Sequence, residues 1–311
     1  MALTGAPTTR DHIPSALEAN LRKAFVDVDM DLPRFYDKLY NIENTGIAKE
    51  REAVYGGIGS YVAKDEGGAP TYDSGQEAWA KLYEVLTFAL GLQVTYEAMQ
   101  DDRHGIIRKM TAAGGNLAEV ANYTVEQQVM NLFNTLLTSG EVYSKDGTTY
   151  PLVSLTHPLL DGSTWTNRPT SPMDLSIEAL EFAVGHWAIN QKNQRGQLTM
   201  RPPEDLIVAA NDWMLAKRLQ GTTKLPTSAN NDINPVGDIL KRVIFNPLLT
   251  NDGRWGLHAD KRFTGLRFYW RERPNVKKWP DGDNGNTRLV GFFRKIHGAT
   301  HTMNVWWSPA S

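Results

Sequence analysis

Between Glu50 and Val85 the chain makes an excursion with strand-forming ends and no apolar centre of its own. Glu52-Ala53-Val54-Tyr55 and Gly59-Ser60-Tyr61-Val62-Ala63 have the composition of strands, and the turn cluster Asp65-Glu66-Gly67-Gly68-Ala69-Pro70 follows, then Thr71-Tyr72. The run from Trp79 to Leu90 (Leu82, Val85, Thr87, Ala89) returns in the same style. An isolated two-stranded hairpin is marginal in water, so this one needs a partner surface. It is expected to be mobile in a free subunit and ordered in an assembly. A fold that carries such a protrusion is completed from outside itself.

The remaining segments alternate between helix and strand patterns. Residues 1–20 are poor in large apolar side chains and read as an extended arm, with a weak helical pattern from Ser15 to Val28. Thr95 is a plausible N-cap for a helix from Tyr96, with Glu97, Asp101 and Asp102 early in it. Gly114-Gly115 interrupts. Thr124 with Gln127 reads as a capping box for a second helix, whose Val125, Val129, Leu132, Phe133, Leu136 and Leu137 form one apolar face before Gly140. Residues 140–170 read as irregular connection. Ser171-Pro172-Met173-Asp174 predicts a helix start, with Ile177, Leu180, Val184 and Trp187 on the buried face. Leu206 to Ala209 reads as a short buried strand, and Asn211 or Asp212 caps a helix ending near Leu219. From residue 240 onward the pattern is mostly strands, at 243–245, 255–259, 266–270, 289–293 and 302–307. The class is α+β, without βαβ repetition or internal repeats.

Composition removes several function classes. The chain of 311 residues holds 33 Lys+Arg against 35 Asp+Glu, a net charge of −2, which is not that of a protein that binds nucleic acid by bulk charge. With no cysteine, disulfides, thiol catalysis, zinc fingers and iron–sulfur clusters drop out together. No run approaches the roughly 18 apolar residues of a membrane span, and the first residues lack a basic-then-apolar signal pattern. These features point to a soluble intracellular protein stabilised by packing, within itself or against its own copies.

Catalytic patterns are weak. Tyr55-Gly56-Gly57-Ile58-Gly59 lies in the predicted hairpin without the helix N-terminus a phosphate site uses. His297 and His301 have zinc-chelating spacing only on a helix, and they sit in strand and turn without an obvious third ligand. Asp101 and Asp102 are adjacent on a helix and need not converge. His104 reads as a solvated helix residue and His186 as a packed or polar-edge one. No cofactor is implied.

Charge distribution says more. From Lys241 to Lys295 there are thirteen Lys/Arg against five Asp/Glu, interleaved with aromatics in Arg267-Phe268-Tyr269-Trp270-Arg271 and Lys277-Lys278-Trp279. A nucleic-acid platform would use stacking rings and phosphate-binding cations in this way. A basic half docking onto an acidic half of another copy is the favoured reading of the block, because it is self-complementary without any ligand. The candidate inter-subunit contacts are Arg51, Lys64, Arg267, Arg271, Arg273, Lys277 and Lys278.

The order of elements resembles the major capsid proteins of tailed bacteriophages, with the Hong Kong 97-type shell fold and, less specifically, its Mu-like head-subunit branch. The matching segments are Thr95 to Asp102, Arg201-Pro202-Pro203-Glu204-Asp205-Leu206-Ile207-Val208-Ala209, and Asn234-Pro235 followed by Trp255-Gly256-Leu257-His258-Ala259-Asp260. The resemblance implies an N-terminal arm (1–48), an extended β-hairpin loop (49–88), a peripheral domain with a long spine helix (89–172 and 286–311) and an axial domain (173–285). It implies a non-enzymatic subunit, made in the bacterial host cytoplasm, that assembles with itself into hexamers and pentamers. These would form an icosahedral virion head enclosing double-stranded DNA without sequence-specific binding. A portal and a separate scaffolding protein are implied partners, because the arm is too short for a built-in scaffold; a decoration protein is a further one. Lys64 sits on the loop, but crosslinking is not carried over to it. The alternative from another class is a nucleic-acid-binding protein using block 241–295.

Overall fold

The computed structural model describes residues 33–75, 77–97, 101, 114–138, 142–145, 147–221, 234–250, 253–280 and 286–309. The expected helix Ser15–Val28, His104 and most of the acid-led helix from Tyr96 lie outside them. The elements are α1 (Tyr36–Leu39), β1 (Asn41–Asn44), β2 (Lys49–Tyr55), β3 (Glu77–Glu84), β4 (Leu86–Val94), α2 (Gly114–Asn134), β5 (Tyr143–Lys145), β6 (Thr148–Tyr150), β7 (His157–Pro158), β8 (Thr164–Trp165), α3 (Ile177–Asn190), β9 (Asp205–Val208), α4 (Trp213–Gly221), α5 (Val236–Ile239), β10 (Arg242–Phe245), β11 (Trp255–His258), β12 (Leu266–Pro280), β13 (Thr287–Ala299) and β14 (Val305–Ser308).

The described residues divide between two compact units, one holding 33–34 with those of 85–126 and 270–295, the other those of 35–84, 127–269 and 296–311. In the first unit β4 pairs antiparallel with β13, from Leu86↔Lys295 to Val94↔Thr287. Leu117 and Ala118 of α2 pack on Val276 and Leu289 there. The pairing of β4 with β13 uses residues almost two hundred apart, so local sequence reads β4 as the return arm of the hairpin. In the structure that arm ends at Glu84, and Val85 separates it from β4.

The second unit is built on the sheet β10-β9-β11-β14. β9 and β10 are parallel, and α4 lies between them in sequence, so the fold contains one βαβ unit although none repeats. All four residues of β9, β11 and β14 are buried, as expected of strands covered on both faces. Trp255 and Trp306 pack at 5.2 Å between centroids, among Leu180, Trp187 and Leu206. At the edge of this sheet Arg242 forms a two-pronged ion pair with buried Asp205, at 2.6 and 2.7 Å. Burial pushes the Asp205 carboxyl up, against the opposing pull of Arg242.

Two helix starts differ from expectation for physical reasons. Thr124 does not cap a helix; its hydroxyl donates back to the Val120 carbonyl at 2.7 Å inside α2, which runs unbroken from Gly114. The helix after Ser171-Pro172 begins one turn late, with Ser176 as N-cap accepting from the Ala179 N–H at 3.1 Å. Met173 is held extended instead: its carbonyl accepts from Trp255 Nε1 at 2.8 Å and its N–H donates to Ser308 Oγ at 3.0 Å. Long-range partners outcompete the local cap. Strands β12 and β13 also run far beyond the expected 266–270 and 289–293, and residues 140–170 contain the small hairpins β5–β6 and β7–β8.

Three histidines of the second unit are held as neutral rings, His157 and His258 buried and His186 half-buried. His258 Nε2 accepts from Trp307 Nε1 at 2.9 Å, so a proton there would face another donor. His157 accepts from Tyr143 through Nδ1 (3.2 Å) and donates to Asn167 Oδ1 through Nε2 (3.0 Å). His186 Nδ1 accepts from Trp306 Nε1 at 3.1 Å. Burial lowers His258 to about 3 and His157 to about 4, the Asn167 bond opposing the latter. Below about 6.5 the unfolded chain takes up protons that these folded rings refuse. Stability is therefore expected to fall as pH drops from about 6.5 toward 4, by about 2–3 kcal/mol at pH 4.5 for each of His157 and His258. Urea midpoints at pH 7.0, 5.5 and 4.5 check this. His157→Gln should flatten the slope, and a slope identical to wild type would refute its part.

Candidate assembly surface

The hairpin excursion is the most conspicuous surface of the second unit. β2 and β3 pair antiparallel from Lys49↔Glu84 to Tyr55↔Glu77, with a register shift between Ala53 and Tyr55. Ion pairs Lys49–Glu84 and Arg51–Glu77 (the latter 3.0 Å) lie across the exposed face. β3 continues into β5 and β6, so the base of the hairpin is the edge of a four-stranded sheet rather than a free ribbon. Beyond Tyr55 the expected strand at 59–63 is not formed; residues 56–75 have no regular ladder.

A polar cluster fixes the base. Glu52 accepts from Arg267 Nε at 2.7 Å, from the Tyr269 hydroxyl at 3.2 Å and from the Thr300 hydroxyl at 2.5 Å. The Tyr83 hydroxyl lies 2.8 Å from Thr300 Oγ1, closing the network. Burial pushes the Tyr83 and Tyr269 phenols well above their ordinary range, with the Glu52 charge adding to it. The phenols are thereby fixed as neutral hydrogen-bonding groups.

The tip has the opposite character. Tyr61 is fully exposed, Tyr72 is 88% exposed, and Val62, Tyr55 and Ile58 are more than half exposed. Large apolar side chains clustered on a loop mark a contact surface. The first unit carries a second apolar surface, a cleft of about 300 Å³ lined by Phe88, Leu90, Leu117, Val120 and Phe292.

The residues singled out from sequence scatter. Arg51 lies on the hairpin, paired to Glu77, and the Lys64 ammonium donates to the Gly68 carbonyl at 2.7 Å. Arg267 is engaged within its own chain by Glu52 and, at 3.8 Å, Glu43. Arg271, Arg273, Lys277 and Lys278 follow one another along β12. Arg273 and Lys277 are exposed, and the Lys277 ammonium sits 4.8 Å from the Phe292 ring centroid. The aromatics between these cations are not available for stacking: Phe268, Tyr269 and Trp270 are buried. His297 donates through Nε2 to the Gln128 carbonyl at 3.0 Å, and among the described residues no three His, Asp or Glu side chains group as metal ligands. Sequence reasoning missed Glu52, Thr300, Asp73 and Arg195. Their partners lie more than one hundred residues away, and no local pattern encodes such pairs.

A buried mixed sheet, a long helix and a sheet-based hairpin with an apolar tip are the parts of a Hong Kong 97-type fold. Comparison with solved structures agrees. The chain matches the capsid of the cyanophage P-SCSP1u with a TM-score of 0.58 at 10% identity, over 90% of this chain and 88% of that one. It matches the Microbacterium phage Oxtober96 structure with a TM-score of 0.54 at 11% identity, over 90% and 92%. A virus-like particle from Pyrococcus furiosus gives a TM-score of 0.52 at 10% identity, over 93% and 98%. At these identities the likeness is one of fold. The phage capsid protein family model matches residues 77–298. The chain belongs to that family and is a shell-forming capsid protein. None of the curated protein sequences matches it.

Proposed function

We propose that copies of this chain assemble as hexamers and pentamers into an icosahedral head that encloses double-stranded DNA. The observation that carries the reading is the hairpin: a rigidly seated base and an apolar tip that its own chain leaves in water. Laying that tip on a neighbouring copy removes the exposed surface, and a head-to-tail contact of this kind generates closed rings when the rotation closes. The arm, extended loop, peripheral and axial divisions expected from sequence are the natural labels for the parts. Arg51, Lys64, Arg271, Arg273, Lys277 and Lys278 are proposed to face acidic surfaces of other copies. Portal, separate scaffold and decoration proteins, and synthesis in the host cytoplasm, belong to the same proposal. It assigns the chain no reaction.

Negative-stain images of the purified chain test the reading, with closed particles expected and a monomer at every concentration against it. Arg273→Glu with Lys277→Glu is expected to cut particle yield while circular dichroism stays native, since exposed pairs repeated over many symmetric contacts set register. Normal shells that fail only to retain DNA would instead assign the block to the genome.

A further inference from the structure

We propose that Arg195 clamps the extended loop onto its own chain, and that release of this clamp is a step in assembly. The inference rests on the shell reading and deepens it.

The clamp is built on a stiff turn. Lys192 and Leu198 form an isolated bridge, the Asn193 N–H donates to the Gln197 carbonyl at 2.8 Å, and Asn193 Oδ1 accepts from the Arg195 and Gln197 N–H groups at 3.0 Å each. Gly196 occupies the left-handed region, φ +83°, that closes the turn. From this platform the Arg195 guanidinium reaches both oxygens of Asp73, at 2.7 and 3.3 Å, and the Ser74 carbonyl at 3.0 Å. Asp73 in turn accepts from the Gly59 N–H at 2.6 Å. Gly59 lies on the outgoing arm of the loop and Asp73 on the returning arm, so one fork of charge-assisted bonds ties both arms to one site. Gln197 Nε2 adds a longer contact to Ser60 Oγ at 3.5 Å. The Gly59 N–H and Arg195 together hold the Asp73 carboxyl below its usual range.

The position of the clamp matters because of what it leaves exposed. It binds the polar flanks of residues 56–75 and keeps none of the tip's Tyr61, Val62 or Tyr72 side chains out of water. An apolar tip held back on its own subunit by a polar contact has two competing destinations. The second copy offers burial of apolar surface, whereas the clamp offers partly exposed ionic bonds that exchange readily for water. Such a pair restrains the loop in a free subunit and yields when a second copy takes the tip.

Hydrogen exchange on the unassembled chain, with light scattering of its assembly, tests this. Arg195→Ala and Asp73→Asn are expected to speed exchange across 56–75 on the order of five- to tenfold, the size of losing a charge-assisted fork at a partly exposed site. Exchange in buried β9 and β11 should stay at the wild-type rate, which shows the variants are folded. Both variants should form particles at a lower threshold concentration than wild type. Unchanged exchange at 56–75 would show that no clamp operates. A freed loop with an unchanged or higher assembly threshold would overturn its role as a restraint. Wild type that forms no particles at any concentration would refute the shell reading itself, while the exchange comparison still decides whether Arg195 holds the loop.

Discussion

Gly265→Ala is expected to leave no folded protein. Gly265 immediately precedes β12, and its carbonyl accepts from the Thr300 N–H at 2.8 Å, where the chain runs against His301. A methyl group there would overlap the His301 carbonyl and lie 2.8 Å from its carbonyl carbon. Because the obstructing atoms are backbone, no rotamer change relieves the overlap. The chain must pull β12 from residues 300–301, which also strains the Glu52–Thr300–Tyr83 network beside it. A cost above about 4 kcal/mol, in the exceptional range for one substitution, is a large share of a domain's stability. Soluble yield and far-ultraviolet circular dichroism read the result. Gly185→Ala is the control: nothing lies within 4 Å of a methyl group at that exposed helical position, and stability should rise by up to about 1 kcal/mol. Native spectra and an unchanged melting temperature for Gly265→Ala would contradict the close approach.

Trp306→Ala is expected to cost about 3–5 kcal/mol, the range for removing a large aromatic from a packed core. Trp306 is fully buried in β14, against Trp255 and below α3 through its bond to His186. The change opens a cavity beside Trp255 in the core packed on the β10-β9-β11-β14 sheet and leaves the His186 acceptor without its donor. For a domain of this size the melting temperature should drop by about 10 °C. Trp306→Phe keeps much of the ring volume and loses the hydrogen bond, so it should cost less than half as much. Equal losses for the two variants would mean that the His186 bond, not ring packing, dominates at this site.

The parts legible in the sequence were those whose signal is local. Leu206 to Ala209 reads as a buried strand because the run is wholly apolar, and the structure forms it as Asp205–Val208. The helix expected after the cap residues Asn211 or Asp212, ending near Leu219, forms as Trp213–Gly221. Val125, Val129 and Phe133 do face the core, each at or near zero exposure. The hairpin could be read as lacking a core, since its few large apolar side chains are separated by Gly, Pro and charged residues and form no run able to build one. The aromatic residues of 268–270 pack inside rather than standing ready for bases, a choice that their placement between cations leaves open.

What the sequence by itself determined is therefore the element types, the absence of thiol chemistry and the existence of a protrusion without a core of its own. Only the tertiary structure decided where helices begin, how far strands run and which charges are spent internally. Ser171 lost the cap to Ser176 because Met173 found Trp255 and Ser308, residues on strands that local reasoning cannot place. Strand β13 reached Thr287 because β4 was there to pair with it. Arg267 and Arg273 look alike in a charge pattern, yet one is bound by Glu52 and Glu43 and the other faces water. In each case a contact between distant residues outweighs local preferences worth about 1 kcal/mol or less, and a contact of that kind exists only once the chain has folded.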